Sequence, residues 1–129
     1  MFNELIEIRN KIDSLIENCK LETRFEKVGE IYGEKGKYAL YLSPKETEKK
    51  FITWYEAVDY CKSLGGELPT LGELEYLYDN HKEEFQRTYY WSSSQGSTYS
   101  WLMVFRNGDR IGSAKTNRHR VRAVRRVSL

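Results

Sequence analysis

The 129 residues fit one domain, large enough to form a core without disulfide or metal staples. A mean hydropathy of −0.71 with 31% charged residues excludes a chain built of membrane helices, and no apolar run approaches the ~18 residues a helical span needs. The net charge of +2 conceals an uneven spread: residues 106–126 carry eight Arg or Lys against one acid, Asp109, and the remainder is acidic.

The first segment reads as a helix. Met1, Leu5, Ile8, Ile12, Leu15 and Cys19 recur at alternating four- and three-residue spacing, the a and d pattern of a coiled coil. Residues 1–22 are therefore expected to form an amphipathic helix that joins copies of the chain, with Leu5, Ile8, Ile12, Leu15 and Cys19 as the oligomerisation seam. Charges throughout Phe2 to Leu21 rule against a secretory signal peptide, so the expected location is the cytoplasm, or the outside as part of a particle. Cys19 and Cys61 make neither a disulfide framework nor a zinc site, and each is expected to act as a small buried hydrophobe.

Residues 23–129 form the second unit. Gly29, Gly33 and Gly36 punctuate its opening stretch. Tyr38 to Leu42 is a compact strand ended by Ser43-Pro44, Lys45 to Lys50 is a polar loop, and Phe51-Ile52 a second short strand. Thr53 followed by Glu56 makes a capping box, opening a helix that buries Ala57, Val58, Cys61 and Leu64 and stops at Gly65-Gly66. Thr70 and Glu73 repeat the device for a helix carrying Leu74, Leu77 and Tyr78. From Thr88 the pattern is strand. Tyr89-Tyr90-Trp91 runs into a polar loop at Ser92–Ser97, and Trp101 to Phe105 is expected to be largely buried on both faces. Asn107-Gly108 marks a two-residue hairpin, Arg110–Ser113 returns, Ala114–His119 loops out, and Val121–Val127 closes the sheet as one strand.

Several short blocks fall in order: Trp54-Tyr55-Glu56-Ala57, Leu64-Gly65-Gly66-Glu67-Leu68-Pro69-Thr70, Glu73-Leu74, Tyr90-Trp91-Ser92-Ser93-Ser94, Trp101 to Gly108, and Val121-Arg122-Ala123-Val124-Arg125. This set resembles the Lcl C-terminal-like family of small bacterial and phage domains. The resemblance implies an α+β, C-type-lectin-like fold, two helices plus a twisted antiparallel sheet, here preceded by the N-terminal helix. It also implies that Trp91 is core, and that the first and last strands share a sheet. The family usually has an Arg before its Leu-Pro-Thr; this chain has Glu67.

The chemistry expected is recognition. His81 and His119 have no nucleophile or carboxylate placed by spacing as a partner, so no catalytic residue is expected. The calcium-binding lectin signatures are missing, and neither metal nor cofactor is expected. By analogy with the lectin-like variable proteins of diversity-generating retroelements, Ser93, Ser94, Gln95, Thr98, Tyr99, Arg106, Asn107, Arg110, Lys115, Asn117, Arg118 and His119 would form a surface for a protein or surface ligand. Two rivals stand beside this. Arg118, Arg120, Arg122, Arg125 and Arg126 could track a nucleic acid or other polyanion, with the first three on one face of a strand. Alternatively, a phage-encoded inhibitor or adaptor could sequester a host protein.

Overall fold

The computed structural model describes residues 24–129. The expected leading helix and its seam at Leu5, Ile8, Ile12, Leu15 and Cys19 fall outside the described residues. What is described is α+β. In chain order come β1 (Glu26–Gly33), β2 (Gly36–Leu42), β3 (Lys49–Ile52), α1 (Trp54–Ser63), α2 (Leu71–His81), β4 (Tyr89–Gln95), β5 (Tyr99–Val104), β6 (Asp109–Ala114), β7 (His119–Val121) and β8 (Val124–Ser128), with short 3-10 turns at Lys45–Thr47 and Lys82–Glu84. One sheet has the order β1-β2-β8 and the other β3-β7-β4-β5-β6. All pairings are antiparallel except β4 with β7. Among the described residues no helix is long and apolar enough to cross a membrane.

Local chemistry fixes both helices. Glu56 N–H donates to Thr53 Oγ1 at 3.3 Å and Thr53 N–H to Glu56 Oε1 at 2.9 Å. Thr70 and Glu73 repeat the exchange at 3.1 and 2.8 Å. Each box satisfies two of the amides that a helix start leaves without partners. At the other end of α1, Gly65 adopts φ +81°, its N–H donates to Lys62 O, and Gly66 N–H donates to Cys61 O, both at 2.9 Å. That is a Schellman stop, and a side chain at Gly65 would be strained.

Alternation along β4 and β5 divides the core between the faces of the larger sheet. Trp91 and Leu102 pack with Ala57, Cys61, Leu64 and Val121 on the α1 side. Tyr90 and Met103 pack with Leu40, Leu74, Leu77, Phe85 and Phe105 on the other, between α2 and the smaller sheet. Trp91 is fully buried, and its Nε1 donates to Ile52 O at 2.9 Å.

Several expected boundaries move. The glycine-punctuated opening is strand β1, whose side chains are mostly exposed. Gly29 is there because Tyr76 is: a Cβ on it would lie 1.9 Å from the Tyr76 hydroxyl. The polar segment Lys45–Lys50 holds a 3-10 turn and the start of β3. The serine run is not a loop. β4 continues to Gln95, because Ser92 Oγ donates to Trp101 O at 2.7 Å and Ser100 Oγ to Ser92 O at 2.8 Å, which lets two serines be buried across adjacent strands. The β5–β6 connection has four residues, Phe105–Gly108, rather than two. Its closing bond runs from Gly108 N–H to Val104 O at 2.7 Å.

The largest departure is at the C-terminus. Val121–Val127 is not one strand: β7 belongs to the larger sheet and β8 to the smaller, and the chain crosses between them at Arg122–Ala123. Ser43 N–H donates to Ala123 O at 3.0 Å and Ala123 N–H to Ser43 Oγ at 3.2 Å, replacing the ladder bonds lost at the crossing. Arg122, 1% exposed, donates from Nε to Ser43 O at 2.8 Å and from Nη1 to Glu84 O at 2.6 Å. A lysine cannot supply that planar fork. Arg122→Lys should therefore lower unfolding stability by about 3 kcal/mol in urea titration with an unchanged m-value; a loss under ~0.5 kcal/mol would show that the fork contributes nothing.

Candidate ligand-binding surface

At the end of the sheet where β5 begins, two loops meet: Gly96–Thr98 between β4 and β5, and Lys115–Arg118 between β6 and β7. Lys115 joins them. Its N–H donates to Thr98 O at 3.1 Å, and its carbonyl accepts from Trp54 N–H at 3.0 Å, which ties both loops to the start of α1. Its Nζ donates to Gln95 Oε1 at 2.5 Å and Ser97 O at 3.4 Å, and lies 4.4 Å from the Trp54 ring centroid. A lysine whose ammonium has acceptors and an aromatic face can be buried without a carboxylate. Lys115 is thus an internal strut, which corrects its expected place on the binding surface.

Exposed aromatics stand on both faces of the sheet at this end: Tyr55 over Lys115 on the α1 face, and Tyr99 and Trp101 on the face they share with Met103. Tyr55 is 53% exposed, Tyr99 41% and Trp101 37%. Tyr99 meets Trp101 edge to face at 5.9 Å, and Trp54 meets Tyr55 at 5.5 Å. On the α1 face lies a hollow of about 330 Å³ lined by Trp54, Val58, Leu68, Ser93, Gln95 and Arg126.

The twelve expected contact residues do not form one surface. Ser93, Gln95, Thr98, Tyr99 and Asn117 belong to the loop end, although Asn117 Nδ2 already donates to Ser113 Oγ at 3.0 Å. Ser94 is half-buried, its Oγ accepting from Leu71 N–H at 3.1 Å at the start of α2. Arg106 and Asn107 lie in the turn at the far end of the β5–β6 hairpin, roughly 17 Å away along the strand. Asn107 closes that turn on Asp109, with Nδ2 to Oδ2 and Asp109 N–H to Oδ1 both at 3.0 Å. Arg110 is ion-paired to Glu75 on α2. Arg118 donates to Phe51 O at 3.2 Å and pairs with Glu56 at 3.4 Å. Tyr55 and Trp101 were not among the expected residues. Tyr55 was legible as the position just off the Trp54–Ala57–Cys61 face of the helix. Trp101 shares a face with Met103, whose apolar run masked the point where α2 ceases to cover the strand.

His119 opens β7, not a loop, half-buried and edge-on to Trp91 at 4.9 Å and Tyr89 at 5.7 Å. Burial holds its pKa below the ordinary value. Ser113 Oγ lies 2.8 Å from its Nε2, a partner that spacing did not suggest. No carboxylate orients the imidazole among the described residues, so this pair lacks the third group of a nucleophile–base system. Cys61 is buried in α1, and burial pushes its thiol up to about 12, far from a reactive thiolate. Among the described residues no three His, Cys, Asp or Glu side chains gather as metal ligands.

The five arginines of the polyanion reading all have internal partners. Arg118 holds Phe51 O and Glu56. Arg120 pairs with Glu48 at 2.7 Å, whose other oxygen accepts from the Tyr90 hydroxyl. Arg122 is buried at the crossing, so it cannot share an open track with Arg118 and Arg120. Arg125 donates to Gly65 O at 2.9 Å and stacks on Phe25 at 4.3 Å. Arg126 binds Glu73 at 2.6 and 2.7 Å, Leu68 O at 3.0 Å, and Glu67. Glu67, standing where the resembled family carries Arg, is thus ion-paired to the last strand.

Comparison with protein-family models gives no match, and neither does comparison with curated proteins.

Burial pushes the Glu73 carboxyl up, but Arg126, the Tyr38 hydroxyl and the Thr70 amide outweigh it and hold the pKa below its ordinary 4.5. Below 4.5 the unfolded chain takes up a proton that folded Glu73 resists. The stability this group confers is therefore complete above that pH and drains away as the pH falls through the lower folded value. Glu73→Gln should be less stable at pH 7 and show a shallower loss below pH 4.5 than the parent in denaturant titrations. Parallel acid limbs would contradict the assignment.

Proposed function

We propose that this chain is a non-enzymatic ligand-binding module of C-type-lectin-like fold, akin to the Lcl C-terminal-like domains and of phage or prophage type. It recognises a protein or surface ligand through the loop end of its larger sheet. Three features support the fold reading: the first and last described strands flank β2 in one sheet, the two capped helices follow each other between β3 and β4, and Trp91 of the Tyr-Trp-Ser-Ser block is core.

The observation that carries the functional reading is the exposed aromatic pair Tyr99 and Trp101, packed edge to face. They stand at the start of β5, where a buried lysine binds two loops together and to α1. Tyr and Trp supply contact area at low entropic cost, and their rigid mounting reduces the ordering that binding must overcome. Thr98 next to Tyr99 adds hydrogen-bonding groups at the rim, while Ser93 and Gln95 line the hollow on the α1 face. The basic C-terminal strand contributes to the fold itself, since each of its arginines is already partnered.

Affinity capture from bacterial lysate, treated with nuclease and read by quantitative mass spectrometry, tests this with parent and Trp101→Ala protein side by side. Loss of an anchoring aromatic costs about 2 kcal/mol or more, so a partner held by the parent should fall at least tenfold in the variant while the melting temperature stays within a few degrees. Equal recovery by both proteins would remove the aromatic surface from the binding account.

A further inference from the structure

A second concavity, of about 500 Å³, lies between β3, the segment leading into β4, and the start of β7. Four cationic side chains line it: Lys50, Arg87, Arg118 and Arg120, and no acidic residue does. Two of the four charges are met from outside, Arg118 by Glu56 and Arg120 by Glu48. Lys50 and Arg87 have no ion-pair partner among the described residues. This sets the pocket apart from the rest of the C-terminal strand, where arginine charge is spent on the fold. Converging cations with a positive surplus in a concave wall attract a compact anion.

Phe51 gives the ligand its second half. It is the one non-glycine residue with positive φ among the described residues, at 58°, and it lines this pocket while 70% exposed. The β3–β7 register shifts between Lys49 and Ile52, so Phe51 sits in a bulge. A left-handed bulge residue is ordinarily glycine, and an L side chain there is strained. The fold gains little in return, because so much of the residue is in solvent. Arg118 Nη1 donates to the Phe51 carbonyl at 3.2 Å, which ties the strained residue to one of the pocket's cations. Strain held at the mouth of a charged cavity is the pattern of a binding site.

We propose that this pocket binds a small phosphate monoester carrying a planar ring, the chemistry of a mononucleotide. The phosphate lies against Lys50, Arg87, Arg118 and Arg120, and the ring stacks on Phe51, with Tyr89 on the inner wall. The site uses none of Tyr55, Tyr99 or Trp101, so it stands or falls separately from the aromatic loop surface.

Isothermal titration of the full chain with AMP, GMP, CMP and UMP, and with inorganic phosphate and adenosine as the two halves, decides the matter. At least one nucleotide should bind at 1:1, tenfold or more tighter than either half, and weaken as salt rises. Arg87→Ala should weaken it about tenfold, and Trp101→Ala should leave it unchanged. Phe51→Gly is the discriminating variant: it should lose nucleotide affinity while melting at the same or a higher temperature, because glycine accepts the left-handed backbone without strain. No saturable binding of any nucleotide up to millimolar concentration overturns the proposal. So does inorganic phosphate binding as tightly as the best nucleotide, or Phe51→Gly retaining full affinity.

Discussion

The chain has to pass from one sheet to the other at Arg122–Ala123, and the rest of the structure depends on how the polar groups at that crossing are satisfied. Backbone amides and carbonyls at an irregular buried segment have no ladder to join, and each one left without a partner costs as much as a lost hydrogen bond. Here Ser43 and Ala123 exchange bonds through backbone and hydroxyl. The Arg122 guanidinium reaches Ser43 O and Glu84 O, carbonyls that no neighbouring strand can serve, and its charge lies over the Phe85 ring at 5.2 Å. One residue further on, Val124 pairs with Glu67 in both directions at 2.8 and 2.9 Å. Arg126 then fixes the connection between the helices through Leu68 O and Glu73. A short stretch of chain thereby holds the end of β2, the turn after α2 and the α1–α2 connector together.

This changes what the basic C-terminus means. A cluster of arginines with few neighbouring acids in sequence is the footprint of an anionic partner, but sequence distance hides the acids that fold back onto it. Glu48, Glu56, Glu67, Glu73 and Glu84 come from the acidic front of the chain and meet these arginines in space. Spending the charge on the fold leaves recognition to what remains exposed on rigid supports. These are the aromatics at the loop end of the larger sheet and the pocket at Phe51, whose lining carries four cations and no acid.

Much of the frame was legible because its causes are local. A Thr with Glu three residues on specifies a helix start whatever lies around it, and both boxes form as the spacing implies. Gly65 ends its helix for an equally local reason, and Trp91, Leu74 and Leu77 are core as their pattern suggests. What was not legible depends on contacts distant in sequence. β1 is mostly exposed and carries glycines that look like turns, one of them required by Tyr76 from a helix far along the chain. The break at Arg122 leaves only a slight mark: Val121, Val124 and Val127 recur every third residue, where one strand would alternate. Lys115 reads as a solvent-facing loop lysine until Trp54 and Gln95 are brought to it. Of the expected contact residues, Ser93, Gln95, Thr98 and Tyr99 come to the loop end because they are near in sequence, though alternation sets Ser93 and Gln95 on one face and Tyr99 on the other. Arg106, Asn107 and Arg110 are separated from them by the length of a strand.

The central claim is that the arginine-bonded crossing makes the two sheets one cooperative unit, and native-state hydrogen exchange in increasing denaturant tests it most directly. The amides of Ser43, Glu67 and Val124 report the crossing; those of Leu102 and Met103 report the larger sheet. All five should exchange only through global unfolding, converging on a single free energy and a single denaturant dependence. If Ser43 and Val124 exchange several kcal/mol sooner while Leu102 and Met103 stay protected, the sheets open independently and the crossing does not hold them together.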